Sequence, residues 1–89
     1  MAFTRESIEF IKYCTGATYA QLAEHMDINA AALRMSVFRD QKIENVSIGF
    51  LISMRKAVNK FNGKLSISKN AESITIRFRN NEKTWRFGE

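Results

Sequence analysis

Apolar residues recur at three- and four-residue spacings through the first two thirds of the chain, which predicts a series of helices. A first helix is expected over about 5–15, with Thr4 as its N-cap. A short second helix follows Thr18, which forms a capping box with Gln21 three residues later, and this helix ends near Met26. The start of the chain therefore predicts two helices joined by a short loop.

Two further helices are expected before the pattern changes. Asn29 is a strong N-cap for a third helix that continues to about Arg39, so only a three-residue break separates the second helix from the third. Ser47 or Asn45 caps a fourth helix, which Asn62-Gly63 terminates. A wide apolar stripe on this fourth helix comprises Ile48, Leu51, Ile52, Met54, Val58 and Phe61.

The final third of the chain alternates between apolar and polar residues, which predicts strands of a half-buried antiparallel sheet. The apolar positions are Leu65, Ile67, Ile74, Ile76, Phe78, Trp85 and Phe87. Turn residues at 69–72 and 80–82 divide them into three strands, for which a meander is the economical connection. The pattern thus predicts one α+β domain over 1–89, with a helical part at 5–61 and a β-meander at 62–89.

The composition indicates a folded basic domain. The chain has 89 residues, of which 45% are hydrophobic, and its net charge of +5 with a pI near 9.7 favours nucleic acid or another polyanion as partner. The charge is uneven, because residues 1–45 hold five Lys/Arg and six Asp/Glu whereas 46–89 hold nine and three. The basic half therefore needs an explanation in any binding hypothesis.

Catalytic and metal-binding patterns are not recognisable in the sequence. Cys14 has no partner for a disulfide or a metal, and His25 has only Glu24 beside it, at a spacing that does not bring side chains face to face on a helix. No apolar run is long enough for a membrane span. We therefore expect a cytoplasmic protein that is not an enzyme, binds no cofactor or metal and has no membrane partner.

The segment from Tyr19 to Phe38 contains the most informative pattern, a helix, a tight turn and a second helix. Residues 19–33 read YAQLAEHMDINAAAL, and residues 47–58 read SIGFLISMRKAV. In hydrophobic register and in the small and capping positions, both stretches resemble the Cro/C1-type family, whose patterns are Q-x-x-L-A-x-x-L-G-V-S-x-x-x-I and S-L-x-x-L-x-x-L-A-x-A-L. The resemblance covers about 5–61 and implies a four- to five-helix lambda-repressor-like helix-turn-helix domain, here followed by a three-stranded antiparallel sheet.

The resemblance also implies which residues meet double-stranded DNA. The recognition positions fall on Asn29, Ala30, Ala31, Arg34, Met35 and Arg39, with Phe38 as an alternative to Arg39. Arg34 is expected to pair with O6 and N7 of a guanine, although a solvated arginine is an equal alternative. The alanines allow close approach or contact with a thymine methyl, and Asn29 directs backbone N–H groups to a phosphate. Tyr19 replaces the glutamine that is usual at the start of the second helix.

A second basic surface is expected on the sheet. Alternation places Arg77, Arg79 and Arg86 on the face opposite Ile76, Phe78, Trp85 and Phe87, where they meet DNA backbone, an acidic protein or only solvent. The aromatic residues are predicted on the buried side, which argues against RNA. The residues expected to contact phosphate or to belong to this second surface are Gln21, Lys42, Arg77, Arg79 and Arg86.

Together these features predict a sequence-specific DNA-binding transcriptional regulator, most plausibly a repressor of a phage or mobile element. It is expected to read an inverted repeat as a homodimer through Thr84–Gly88, because open sheet edges pair readily with a copy of themselves. Two alternatives remain at this point. One is a protein-interaction module, such as a phage-encoded inhibitor of a host enzyme that docks on an acidic surface, and the other is an antitoxin that binds both DNA and a toxin.

Overall fold

Four helices precede a three-stranded antiparallel sheet, which confirms the α+β class. The computed structural model describes residues 2–70 and 72–88. The helical elements are α1 (Phe3–Thr15), α2 (Tyr19–Met26), α3 (Ala30–Arg39), a 3₁₀ helix (Ile43–Asn45) and α4 (Ile48–Lys60). The strands are β1 (Lys64–Ile67), β2 (Ser73–Phe78) and β3 (Asn81–Arg86). No helix among the described residues is long and apolar enough to cross a membrane.

Three of the predicted helix starts are confirmed by side-chain caps. Thr18 accepts a hydrogen bond from the Gln21 backbone N–H while the Gln21 side chain accepts one from the Thr18 N–H, the reciprocal pair of a capping box. Asn29 accepts from the Ala32 N–H at 2.7 Å and thereby begins α3. Ser47, and not Asn45, caps α4, since Asn45 belongs to the 3₁₀ helix. Local sequence therefore sets the starts of α2, α3 and α4.

The predicted role of Thr4 is wrong, because α1 begins at Phe3, two residues before the predicted start, and has no side-chain cap. Thr4 is buried, and its hydroxyl donates to the carbonyl oxygen of Gln41 at 3.1 Å. The backbone N–H groups of Phe3 and Thr4 donate to the same oxygen, so a distant loop satisfies the free donors of the helix. Ile43, at the start of the 3₁₀ helix that follows Gln41, is also buried, although most residues of the stretch 40–45 are polar.

The predicted meander is confirmed, with strand order β1-β2-β3 and antiparallel pairing throughout. Ile76 lies between Leu65 and Lys83, and Phe78 pairs with Asn81, which leaves a two-residue turn between β2 and β3. Arg79 in this turn adopts a left-handed φ of 35°. The first turn was predicted at 69–72, of which Ala71 lies outside the described residues.

The hydrophobic core joins the helices to the inner face of the sheet. Trp85 of β3 meets Phe3 and Phe10 of α1 edge to face, with ring centroids 5.3 Å and 6.1 Å apart. Fully buried core residues include Ile8, Ile11, Leu22, Met26, Leu33, Met54, Val58, Ile74 and Ile76. The helical part and the meander are thus held together by one continuous set of apolar contacts.

The apolar stripe of α4 is narrower than the sequence predicted. Met54 and Val58 are buried, but Ile48 is 75% exposed and Ile52 is 53% exposed. The same helix instead buries Ala57, whose small side chain allows close packing against its neighbours. Two isoleucines one turn apart therefore stand on the surface of α4.

We expect the stability of the domain to fall in acid through Glu6. The Lys83 ammonium lies 2.8 Å from a Glu6 oxygen and lowers the pKa of this carboxyl below its ordinary value of 4.5. Burial of Glu6 raises the pKa and so opposes this shift, whereas the hydrogen bond from the Trp85 N–H lowers the pKa further. A group with a lowered folded-state pKa stabilises the protein above 4.5 and loses that contribution as the pH falls through the folded-state pKa. Urea unfolding at pH 7 and pH 3 measures this loss.

Glu6→Gln is the matched variant, because it keeps the side chain and removes the titration. It is expected to lose less stability than the wild type between the two pH values. Glu44→Gln, on the exposed surface of the 3₁₀ helix, is the control and is expected to behave as the wild type. Equal acid losses in the wild type and Glu6→Gln contradict the prediction.

Candidate nucleic-acid interface

The α2 and α3 helices are joined by three residues, Asp27, Ile28 and Asn29. Asp27 adopts a left-handed φ of 60°, a conformation that aspartate tolerates better than most residues. The Ile28 N–H donates to the Ala23 carbonyl oxygen at 3.1 Å, and the buried Ala23 allows the two helices to approach closely. The chain therefore builds the sharp turn that the sequence predicted, with Asp in place of Gly.

One side of α3 is bound into the core and the other faces solvent. Leu33 and Val37 are buried, and α3 packs against α1 and α2. The solvent-facing residues are Ala31, Ala32, Arg34, Met35, Phe38 and Arg39, and Met35 and Phe38 are 50% and 77% exposed. All the predicted recognition positions except Ala30 and Asn29 thus present side chains on one open helix surface.

Asn29 and Ala30 have structural tasks at the start of α3. The Asn29 side-chain oxygen is used in the cap, and Ala30 is partly buried against the core. The α3 N-terminus still presents backbone N–H groups without helical partners, because the first turn of any helix leaves them free. This end of the helix is therefore suited to a phosphate through its backbone N–H groups.

A cluster of four polar side chains links the three helices around this surface, and we call it the Tyr19 cluster: Glu9, Lys12, Tyr19 and Arg34. The Tyr19 hydroxyl donates to Glu9 at 2.7 Å, and the Lys12 ammonium lies 3.7 Å from the centre of the Tyr19 ring. The Arg34 guanidinium lies over the same ring at 5.9 Å. Burial, together with the hydrogen bond to Glu9, raises the pKa of Tyr19.

The sequence reasoning identified Arg34 but missed its three neighbours. Glu9 and Lys12 belong to α1, at an i,i+3 spacing that brings them within 3.8 Å of each other. The unusual Tyr19 at the start of α2 was the available signal. Which residues surround it depends on how α1 packs against α3, and no local pattern contains that information.

The two further residues expected to contact phosphate are both exposed. The side-chain oxygen of Gln21 accepts a hydrogen bond from the Thr18 N–H in the capping box, which leaves the donors of its amide group available to an anion. Lys42 is exposed at the start of the 3₁₀ helix, three residues beyond Arg39 at the end of α3. Both side chains can therefore donate to an anion.

The predicted basic sheet face needs correction at two positions. Arg79 is not on a strand, since it occupies the left-handed turn between β2 and β3. Phe87 follows β3 and is 39% exposed, so it is not a member of the buried aromatic set. Arg77 and Arg86 do face solvent, and the register places Lys64 directly opposite Arg77 and Glu82 on its other side.

The sheet and α3 pack against different sets of helices. The inner face of the sheet carries Ile74, Ile76 and Trp85 and packs against α1 and α4, whereas α3 packs against α1 and α2. The second-surface role expected of Arg77 and Arg86 therefore stays a prediction, on a different element from the recognition positions of α3.

Metal-binding groupings do not arise among residues 2–70 and 72–88. No set of three His, Cys, Asp or Glu side chains in this part of the chain is placed to hold a metal ion. His25 is partly buried with its ring edge to face against Phe61 at 5.1 Å, and burial raises the pKa of the Cys14 thiol. His25 and Cys14 therefore both lie partly buried against neighbouring side chains.

Comparison with known proteins gives no match: no family model, no curated protein and no solved structure is similar to the chain. The resemblance to the Cro/C1-type family stays a prediction that rests on the residues quoted above and on the α2–α3 geometry.

Proposed function

We propose that the protein is a sequence-specific double-stranded DNA-binding transcriptional regulator that inserts α3 into the major groove. The observation that carries the proposal is the open face of α3, which presents Arg34 beside small and apolar side chains after a three-residue turn. A single helix fits the major groove, where Arg pairs with guanine and apolar groups contact thymine methyls. The role as a phage or mobile-element repressor is an extension that rests on the resemblance alone.

Charge also supports this assignment. Among the described residues, the ion pairs are Lys12–Glu9, Lys56–Asp27 and Lys83–Glu6, so Arg34 and Arg39 on α3 are free to meet anions. Lys42 adds a third exposed cation beyond the end of α3. Few cations near the helix mean few phosphate contacts, so we expect a shallow dependence of affinity on salt, with a slope close to the number of phosphates neutralised.

Selection from a random duplex pool tests the proposal. We expect one sequence to be enriched. Titration of the enriched duplex at several salt concentrations then measures how its affinity depends on salt. Absence of enrichment above non-specific binding would end the proposal.

A dimer is part of the proposal, because helix-turn-helix domains usually read two half-sites about 34–36 Å apart. β3 is an edge strand whose outer side has no strand partner in the described chain, and it runs into Thr84–Gly88. Pairing of two such edges around a two-fold axis removes both free edges. Light scattering at micromolar concentration is expected to give twice the mass of the chain, and selected sites are expected to be inverted repeats. A monomer mass together with a single half-site would contradict the dimer.

A protein-interaction module is the second candidate, and the exposed apolar side chains favour it. Phe38 on α3 and Ile48 and Ile52, one turn apart on α4, are all more than half exposed, and contiguous exposed apolar surface is typical of protein-interaction sites. Pull-down from lysate after nuclease treatment separates the candidates. A stoichiometric protein that survives nuclease supports the second, whereas loss of every partner supports DNA binding.

A further inference from the structure

The Tyr19 ring gives Arg34 a support that leaves its hydrogen-bond donors free. A guanidinium within about 6 Å of a ring centroid is attracted to the face of the ring, and the distance here is 5.9 Å. Its five N–H donors lie in the plane of the group, so contact with a ring does not consume them. A carboxylate partner would have occupied two of those donors and neutralised the charge.

The ring is itself fixed from two directions. The Tyr19 hydroxyl donates to Glu9 at 2.7 Å, and the Lys12 ammonium lies 3.7 Å from the ring centre. Lys12 also reaches Glu9 at 3.8 Å, so the two α1 residues hold each other as well as the tyrosine. Two anchoring contacts from α1 restrict the tyrosine side chain on α2, and the restricted ring in turn limits the positions of Arg34 on α3.

We propose that Tyr19 is a positioning residue that preorganises Arg34 for pairing with a base edge, with Glu9 orienting the tyrosine. This inference rests on the proposed DNA-binding function and extends it to a residue that does not touch the base. Long arginine side chains lose rotamer freedom when they bind, and a side chain already held in place loses less. Tyr19 therefore raises sequence discrimination and not general attraction to DNA.

The test compares discrimination in five variants, measured as the affinity ratio between the selected duplex and the duplex with its Arg34-contacted base pair exchanged. Tyr19→Leu removes the ring and is expected to reduce this ratio about two- to five-fold, as expected for an exposed cation–π contact. Tyr19→Phe keeps the ring and is expected to retain most of the ratio. Tyr13→Leu is the matched control, because Tyr13 is an α1 tyrosine that is 80% exposed, and it is expected to leave the ratio unchanged.

The last two variants are Arg34→Ala and its combination with Tyr19→Leu, because a positioning residue has no effect once the residue it positions is gone. The double variant is expected to match Arg34→Ala, whereas independent roles give additive losses. In the free protein, NMR is expected to show that Tyr19→Leu removes the ring-current shift of the Arg34 side chain.

The proposed DNA-binding function and the positioning role of Tyr19 are refuted by different results. A wild-type protein that selects no sequence removes the proposed function and this inference with it. If the wild type selects a sequence, three results would refute only the positioning role of Tyr19. These are an affinity ratio that Tyr19→Leu leaves unchanged, additive losses in the double variant, and an equal loss of affinity for all duplexes in Tyr19→Leu.

Discussion

Replacement of Trp85 by alanine is expected to lower the free energy of unfolding by about 3–5 kcal/mol, the usual cost of removing a large buried aromatic side chain. Trp85 is buried on the inner face of β3, and its ring meets both Phe3 and Phe10 edge to face. Its indole N–H also donates to Glu6 at 3.3 Å. One side chain therefore contributes apolar, aromatic and polar contacts between the sheet and α1.

Urea unfolding followed by circular dichroism measures this loss without relying on the tryptophan signal. Trp85→Phe is expected to retain much of the stability, because an aromatic ring still reaches Phe3 and Phe10. Tyr13→Ala is the control, since the same kind of truncation at an exposed ring is expected to change the stability little. A Trp85→Ala protein as stable as this control would show that the sheet docks on α1 without Trp85.

Replacement of Arg34 by alanine is expected to cost about 1–3 kcal/mol of discrimination between the selected DNA site and a site with one changed base pair. Arg34 is exposed on the open face of α3 and forms no ion pair among the described residues, so its donors are available to a partner. The loss is expected at one position of each half-site, because one arginine reads one base pair. Titration of a panel of single-substitution duplexes measures it.

Arg55→Ala is the matched control for Arg34→Ala. Arg55 is also exposed and unpaired among the described residues, but it lies on α4, away from the proposed reading surface. Its removal is expected to weaken all duplexes by a similar small factor. If the two variants change affinity in the same, sequence-independent way, Arg34 contacts only the backbone of the DNA.

Features set by neighbouring residues were predictable, whereas features set by distant ones were not. The caps at Thr18, Asn29 and Ser47 involve residues within three positions, and all three are present. Thr4 was predicted as a cap from the same rule, but the carbonyl of Gln41 replaced that local bond with a tertiary one. The local preference of a threonine cannot reveal a partner that lies 37 positions away.

Alternation predicted the sheet but not where it ends. β2 follows the two-residue period up to Phe78, and there the chain turns, so Arg79 leaves the face on which the period placed it. An alternating pattern does not show where a strand ends. Gly, Asn or Asp usually marks a tight hairpin turn, and the arginine at position 79 is none of these. The same assumption placed Phe87 in the core, one residue beyond the end of β3.

Only the part of the candidate site that lies on the single helix α3 was predicted from the sequence. The register of the helix-turn-helix pattern located the exposed positions of α3, because the buried Leu33 and Val37 fix which side faces out. The Tyr19 cluster unites residues from α1, α2 and α3, so it exists only once the three helices have packed.

The alanine run at the start of α3 leaves room for the proposed specificity to change by mutation. Ala31 and Ala32 face solvent, so longer polar residues at these positions add donors and acceptors without opening a cavity. Most residues other than Gly and Pro cost only a few tenths of a kcal/mol, about 0.7 at most, in a helix relative to alanine. Under the proposed function, single substitutions at Ala31 or Ala32 are therefore expected to change the preferred target on an unchanged scaffold.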